Sequence, residues 1–455
     1  MRRISSAIIL VLLAASCRNY LDVQPQGYVL PTTDDEFAAI VHNHIREIEG
    51  GGDEYILGNM ERLLTFEGFA DDLDANIRVG TNLPSYAGEK INSMQLRYSY
   101  FWPVVKDCNI VIEHLSDRET ETARQTLAAA YAIKGIVYYN MLREYCEAWD
   151  DAASQKGLPV VDRFDIRERP VRSSLQETYE YTLGLFDKAL ALNPEGGLYY
   201  FSEPVIKAYK ARLLFWCEKW EEAAAVCRDL IRNGGKTLTP ASAYAEMISA
   251  AAPKGEVFAK SHINNSSELD WYFSAIIKYF SSRPASLSLL KLFGDEPEKD
   301  VRYNVSFNAR RMNTKLPECR IRLSEIVLML AECEYHLGDE AAALEAVNDL
   351  RRNRIDGAVD LTVETLPAVR QGDRIRVDAM GGAMTPLLQA IFDERRKEMF
   401  MEGDRWFELK RNGCPEWWIV SNGLKYTTRK YLYTAPIYKR DVDMNPEMQQ
   451  NEGYE

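Results

Sequence analysis

Side chains that commonly carry chemistry are scarce in this sequence. Among 455 residues there are five histidines, at positions 42, 44, 114, 262 and 336, and only His42 and His44 are neighbours. No HExxH and no Gly-x-Ser-x-Gly pattern occurs, so a zinc protease helix and a nucleophile elbow have no place to form. The eight cysteines make no CxxC pair, the spacing a structural zinc site needs. Gly235-Lys236-Thr237 looks like the end of a phosphate loop, but the glycine that loop requires would stand at 230, which is Leu230. Positive charge is short as well: Lys and Arg number 55 against 68 Asp and Glu, a formal balance of −13. An acidic body of this kind excludes broad phosphate contact with nucleic acid and argues against docking on anionic lipid. Beyond the first residues no run reaches the ~18 apolar residues of a membrane helix.

What is present begins at the N terminus. Arg2 and Arg3 precede an apolar run from Ala7 to Ala15, and Ser16-Cys17 follows at once. A basic start, a short apolar core and small residues before a cut site make a secretory leader, which we assign to residues 1–16. Leu13-Ala-Ala-Ser-Cys17 resembles the lipobox of bacterial lipoproteins, with Ala14 where leucine is usual. The resemblance implies that Cys17 becomes the acylated first residue. Two or more acyl chains on one residue make a stable membrane anchor. The other seven cysteines (Cys108, Cys146, Cys217, Cys227, Cys319, Cys333 and Cys414) sit mostly in apolar, helical surroundings and read as small buried residues.

From Trp102 onward apolar residues recur at three- and four-residue spacing, and the chain reads as helices in pairs. Trp102–Leu115 and Thr122–Tyr145 form one pair. Ser174-Leu-Gln-Glu177 is a capping box that opens a helix running to Asn193-Pro194, where proline forbids continuation. Phe186–Pro194 looks like the second helix of a tetratricopeptide repeat. Further pairs are Pro204–Glu218 with Trp220–Ile231, and Ile321–Leu337 with Glu340–Arg354. Both place Glu-Ala-Ala-Ala just past the turn, where small residues let helices approach closely. Glu49–Lys90, Lys254–Arg311 and Gly357–Thr385 lack a sustained period and read as long insertions with short strands such as Glu256–Lys260. The mature chain, residues 17–455, divides at about residue 250 into an N-terminal and a C-terminal part. Insertions on a rigid frame are where binding sites tend to lie.

The C-terminal part holds the most specific pattern. Ile391-Phe-Asp-Glu-Arg-Arg-Lys-Glu-Met-Phe-Met-Glu-Gly-Asp-Arg-Trp-Phe-Glu-Leu-Lys-Arg-Asn-Gly413 closely resembles the signature of the SusD/RagB family. Pro436-Ile437 and Asn445-Pro-Glu-Met-Gln-Gln-Asn-Glu-Gly-Tyr454 resemble its closing segment. Leu21–Pro25, Asp300-Val-Arg302 and Arg322–Glu332 add weaker echoes. The resemblance implies a mostly helical, tetratricopeptide-like superhelix with long irregular insertions. It implies a cell-surface lipoprotein of the outer membrane, not an enzyme. Such a receptor binds oligosaccharides or other glycans and delivers them to a SusC-like, TonB-dependent transporter. Peptide ligands, as for some members, and a scaffold that binds only protein stay open.

Within the signature, Glu394, Glu398 and Glu402 are spaced to share one helix face, with Arg395, Arg396 and Lys397 between them. Carboxylates one turn apart would suit a retaining glycosidase. That chemistry needs one acid kept protonated, whereas flanking arginines hold carboxylates ionised. We therefore expect an ion-pair network that fastens the C-terminal segment to the helices. For ligand contact the aromatic residues of the insertions are the candidates: Trp271 first, then Tyr272, Tyr279, Tyr86 and Tyr55, with Asn264, Asn265 and Arg283 for orientation. Asp71, Asp72 and Asp74 are spaced to help hold a calcium ion, but the expected state of that stretch is a solvated, turn-making acidic loop.

Overall fold

The computed structural model describes residues 31–74, 86–163, 165, 167–262, 270–421 and 424–454. The leader, Cys17 and Leu21–Pro25 lie outside the described residues.

The described chain opens with α1 (Asp34–Gly50), which Thr33 and Glu36 start with a capping box and Gly51 stops at φ 76°. Then come α2 (Met60–Phe69), α3 (Met94–Leu115), α4 (Glu121–Tyr145), α5 (Leu175–Ala191), α6 (Glu203–Trp216) and α7 (Trp220–Asn233). β1 (Val257–Lys260) and α8 (Asp270–Ser281) lead to β2 (Arg320–Arg322), α9 (Leu323–His336) and α10 (Glu340–Arg352). The chain finishes with α11 (Pro386–Glu398), α12 (Arg405–Arg411), the hairpin strands β3 (Trp417–Ser421) and β4 (Leu424–Thr428), and α13 (Lys439–Met444). Helices α3 to α7 pack each on the next, and α9 joins the row against α7, α10 and α11. This is the expected mostly helical repeat scaffold. The capping box at Ser174 and Glu177 is formed, and α5 ends before Pro194.

Small residues set the spacing of the row. A Cβ on Gly135 would lie 2.8 Å from the Phe186 ring, so glycine lets α4 and α5 close up. One continuous apolar core runs from Phe37 in α1 to Met448 near the C terminus. Of the seven described cysteines, Cys108, Cys146, Cys217, Cys227 and Cys333 are buried, and Cys319 and Cys414 are half-buried. Among the described residues no helix is long and apolar enough to cross a membrane.

Several elements depart from the sequence reading. The stretch expected to be irregular before Lys90 contains α2, which is buried almost all round. A helix without a wet face shows no amphipathic period. Ile321 and Arg322, read as the start of a helix, belong instead to β2, which pairs antiparallel with β1. Helix α3 begins eight residues before Trp102 and carries Pro103 inside it. Helix α11 ends at Glu398, so Glu402 is not on the helix face that its spacing suggested.

Glu402 joins the other two carboxylates all the same, because arginines gather them. Arg322 contacts Glu398 and lies 2.9 Å from Glu402. Arg354 reaches Glu398 at 3.0 Å and Glu256 at 2.7 Å. Arg302 reaches Glu394 at 2.8 Å and Glu398 at 3.2 Å, and Lys315 reaches Glu402 at 2.8 Å. Burial alone would raise these acids, but the cations outweigh it. Arg322, Lys315 and Arg320 hold Glu402 down at about 2, and Glu398 lies well below the ordinary range. The network ties β2 and the segments at Glu256, Asp300, Lys315 and Arg354 to α11 and to Glu402 just beyond it. The closing segment is fastened separately: the Asn451 amide donates to the Tyr145 and Ala435 carbonyls at 2.8 and 2.7 Å.

Candidate functional site

Three segments that are distant in sequence meet around a cleft of about 300 Å3. The first is the end of α2 with Ala70–Asp74, the second runs from Arg283 to Ser288, and the third is one face of the β3–β4 hairpin. Alternation along the strands decides which hairpin side chains enter. Trp417 and Ile419 line the cleft, whereas Trp418 and Val420 are exposed. Across the ladder Ile419 pairs with Tyr426. The Tyr426 ring stacks on Tyr86 with centroids 4.4 Å apart and planes 24° apart. Arg374 carries its guanidinium 4.8 Å above the Trp417 ring.

Beneath the cleft the acidic stretch is held by arginines. Asp71 accepts from Arg405 at 2.7 Å and pairs with Arg374 at 3.0 Å, and Asp72 accepts from Arg396 at 2.7 Å. Burial pushes both carboxyls up. At Asp71, Arg396, Arg405 and Arg374 overcome it and leave the group below the usual carboxylate range. At Asp72 burial and the neighbouring Asp71 prevail and leave it above. The solvated loop expected for Asp71, Asp72 and Asp74 is therefore corrected: the first two are buried, and half-buried Asp74 pairs with Arg311 at 3.3 Å. This also removes the basis for the calcium candidates, since guanidinium groups occupy the carboxylates and make the surroundings positive for a divalent ion. Among the described residues no group of three or more metal-ligating side chains is placed to hold a metal.

The aromatic candidates separate. Tyr86 lines the cleft and is half-buried. Tyr279 does not offer a face to ligand: it is 2% exposed, packs beside Phe280, and accepts from Arg283 at 2.7 Å. Arg283, expected to orient ligand, is itself buried and donates to the Leu73 and Asp74 carbonyls. Tyr55 packs edge-on against Phe101 at 5.1 Å with Arg97 over its ring, and it does not line the cleft. Trp271 and Tyr272 stand in the first turn of α8, not in an irregular insertion. Their side chains, like Asn264 and Asn265, lie outside the described residues. Tyr426, Trp417 and Arg374 escaped the sequence reading. Asn422-Gly423 between two alternating runs was the signal available for the hairpin that places the first two.

An open cleft with Tyr86, backed by the stacked Tyr426 ring, and with a tryptophan and an arginine at its wall can hold a ligand by ring contact and directed hydrogen bonds. Its buried carboxylates are committed to arginines.

Residues 297–454 match the SusD family model. A 137-residue stretch is 31% identical to a SusD-like protein of Formosa agariphila and covers 29% of this chain. That stretch spans 24%, about a quarter, of the length of this curated relative. A SusD superfamily structure from Bacteroides thetaiotaomicron superposes with a TM-score of 0.74 at 19% identity, covering 92% of this chain and all of that one. A SusD-like carbohydrate binding protein from Bacteroides vulgatus gives 0.68 at 17%, covering 92% and 98%. A laminarin binding SusD-like protein gives 0.62 at 16%, covering 94% and 100%. At such identities these structures establish the fold, a SusD-like helical scaffold, and the likeness to the SusD family in sequence is carried by residues 297–454.

Proposed function

We propose that this protein is a receptor for glycans, holding an oligosaccharide in the cleft between α2, Arg283–Ser288 and the hairpin. The observation that carries the reading is the Tyr86–Tyr426 stack at the cleft beside Trp417 and Arg374. Flat amphipathic rings suit the apolar faces of sugars, and a guanidinium donates to hydroxyl oxygens. Two structural relatives are described as binding carbohydrate or laminarin, which supports the same ligand class. Acylated Cys17 would anchor the receptor in the outer membrane facing the cell surface. A SusC-like TonB-dependent transporter would take the ligand onward. Each ring contact contributes ~0.5–1.5 kcal/mol, so affinity is modest, as a receptor that releases its cargo requires.

Tyr426→Ala and Tyr86→Ala, titrated with laminarin oligosaccharides, test the cleft. Each should lower affinity roughly 3–10-fold, the equivalent of one ring contact. Both tyrosines are half-buried at the surface, so the cost in stability should be small. Trp271→Ala, at the start of α8, should behave in the same way if its ring reaches ligand. Unchanged binding in both tyrosine variants would place the ligand elsewhere.

A further inference from the structure

Another cavity, of about 520 Å3, lies between the middle of α3, the connection from Pro159 to Pro170, and α13. This size is within the range of small-molecule sites. Helix α3 offers it Trp102, Val105 and Asn109, and Pro159, Val161 and Met444 stand among the opposing residues. Rings, proline and methionine give flat and adaptable apolar walls.

One buried polar group at this cavity lacks a partner. Asn109 is 1% exposed, and its Nδ2 donates to the Val161 carbonyl at 3.1 Å. Its Oδ1 is buried with no hydrogen-bond partner. Buried acceptors are rarely left unmet. Pro103 lies in the same stretch of helix and has no N–H to give the Ser99 carbonyl, and both residues line the cavity. Lys106 pairs with Asp107 at 3.2 Å and Arg163 with Glu168, while Arg169 donates to the Met444 carbonyl at 3.4 Å and Asp441 adds one carboxylate to the lining. The unmet need is for a donor; the charges about the cavity balance, Lys106 and Arg163 against Asp107 and Glu168 and Arg169 against Asp441, which favours an uncharged ligand.

We propose that this cavity is a second binding site, for a flat, neutral aromatic molecule bearing a hydroxyl, a phenol in chemical class. Its ring lies against Trp102 and Val161, and its hydroxyl donates to Asn109 Oδ1. The phenol can be a free molecule or the side chain of a tyrosyl peptide. None of this depends on the glycan cleft, which shares no lining residue with the cavity.

The test titrates the mature protein by calorimetry with β-naphthol and with its methyl ether, which keeps the rings and loses the donor. β-Naphthol should bind about tenfold more tightly, the value of one buried hydrogen bond. Asn109→Leu should abolish that preference. Met444→Trp, at an exposed position on the rim, should block both probes and leave laminarin binding unchanged. N-acetyltyrosinamide identifies the source: Asn109-dependent binding means a tyrosyl side chain, its absence a free phenol, and both sustain the site. Absent binding of β-naphthol, equal affinities of the two probes, or binding that survives Met444→Trp would each overturn the proposal. If Asn109→Leu does not fold, the comparison of probes on the unaltered protein and the Met444→Trp titration decide alone.

Discussion

Replacing Glu402 by glutamine removes one charge from the buried network without changing its shape. In the native protein Arg322 lies 2.9 Å from that carboxylate, Lys315 2.8 Å and Arg320 3.4 Å, and all four groups are buried. Two routes give the magnitude. Glu402 moves from 4.5 to about 2 on folding, and at 1.36 kcal/mol per unit this contributes ~3 kcal/mol. Breaking a buried pair and leaving its partners unmatched costs ~3–5 kcal/mol. Glu402→Gln should therefore lose ~3–4 kcal/mol at neutral pH by urea denaturation. The sign of the pH dependence follows from the folded value lying below the unfolded one. The charge contributes fully above about 4.5, and its contribution is lost as pH falls toward about 2. The gap between native protein and variant should shrink by ~1 kcal/mol or more by about pH 3.5. Laminarin binding by the folded variant should be unchanged. Equal stability at neutral pH, or a gap that does not narrow in acid, would refute the network as the clamp of the C-terminal segment. A variant of native stability that had lost ligand would make this cluster a binding site.

Two further outcomes follow from the same physical chemistry. Glu67 is buried, and burial, with Asp72 nearby, raises its carboxyl to about 8 despite a bond from the Gly403 N–H. A raised acid contributes stability in full below its unfolded value of 4.5 and loses it as pH rises to about 8; Glu67→Gln should therefore flatten the decline between about pH 4.5 and 8, which in the native protein amounts to on the order of 5 kcal/mol in urea denaturation, and an unchanged slope across that window would refute the shift. Cys17→Ala should move the protein from the detergent phase to the aqueous phase on detergent partition and abolish palmitate labelling, and continued partition with detergent would refute the anchor.

The helical scaffold was legible because its signals are local. The Ser174–Glu177 capping box, Pro194 and the small residues past each turn act within a few positions, and the helices formed where those residues placed them. What escaped depends on distant partners. Asp71 and Asp72 look like a wet acidic loop until Arg396 and Arg405 arrive from more than three hundred positions away. Helix α2 is buried on nearly every side and shows no period. Tyr279 sits where an insertion was expected, yet α8 turns it inward onto the small core with Phe280 and Leu289. The cleft itself is built from residues near 70, 285 and 420, and nothing in any one of these stretches names the other two. Among the aromatic candidates whose side chains are described, Tyr86 lines it.

Titration of the purified mature protein with laminarin oligosaccharides and other glycans of increasing length, alongside peptides, tests the receptor account most directly. The account predicts saturable binding of at least one glycan class, rising with chain length as more of the cleft is filled, at affinities between roughly micromolar and millimolar. It further predicts that the bound glycan protects Tyr86 and Tyr426 from chemical labelling. Binding of peptides alone, or glycan binding that leaves both tyrosines fully reactive, would contradict it.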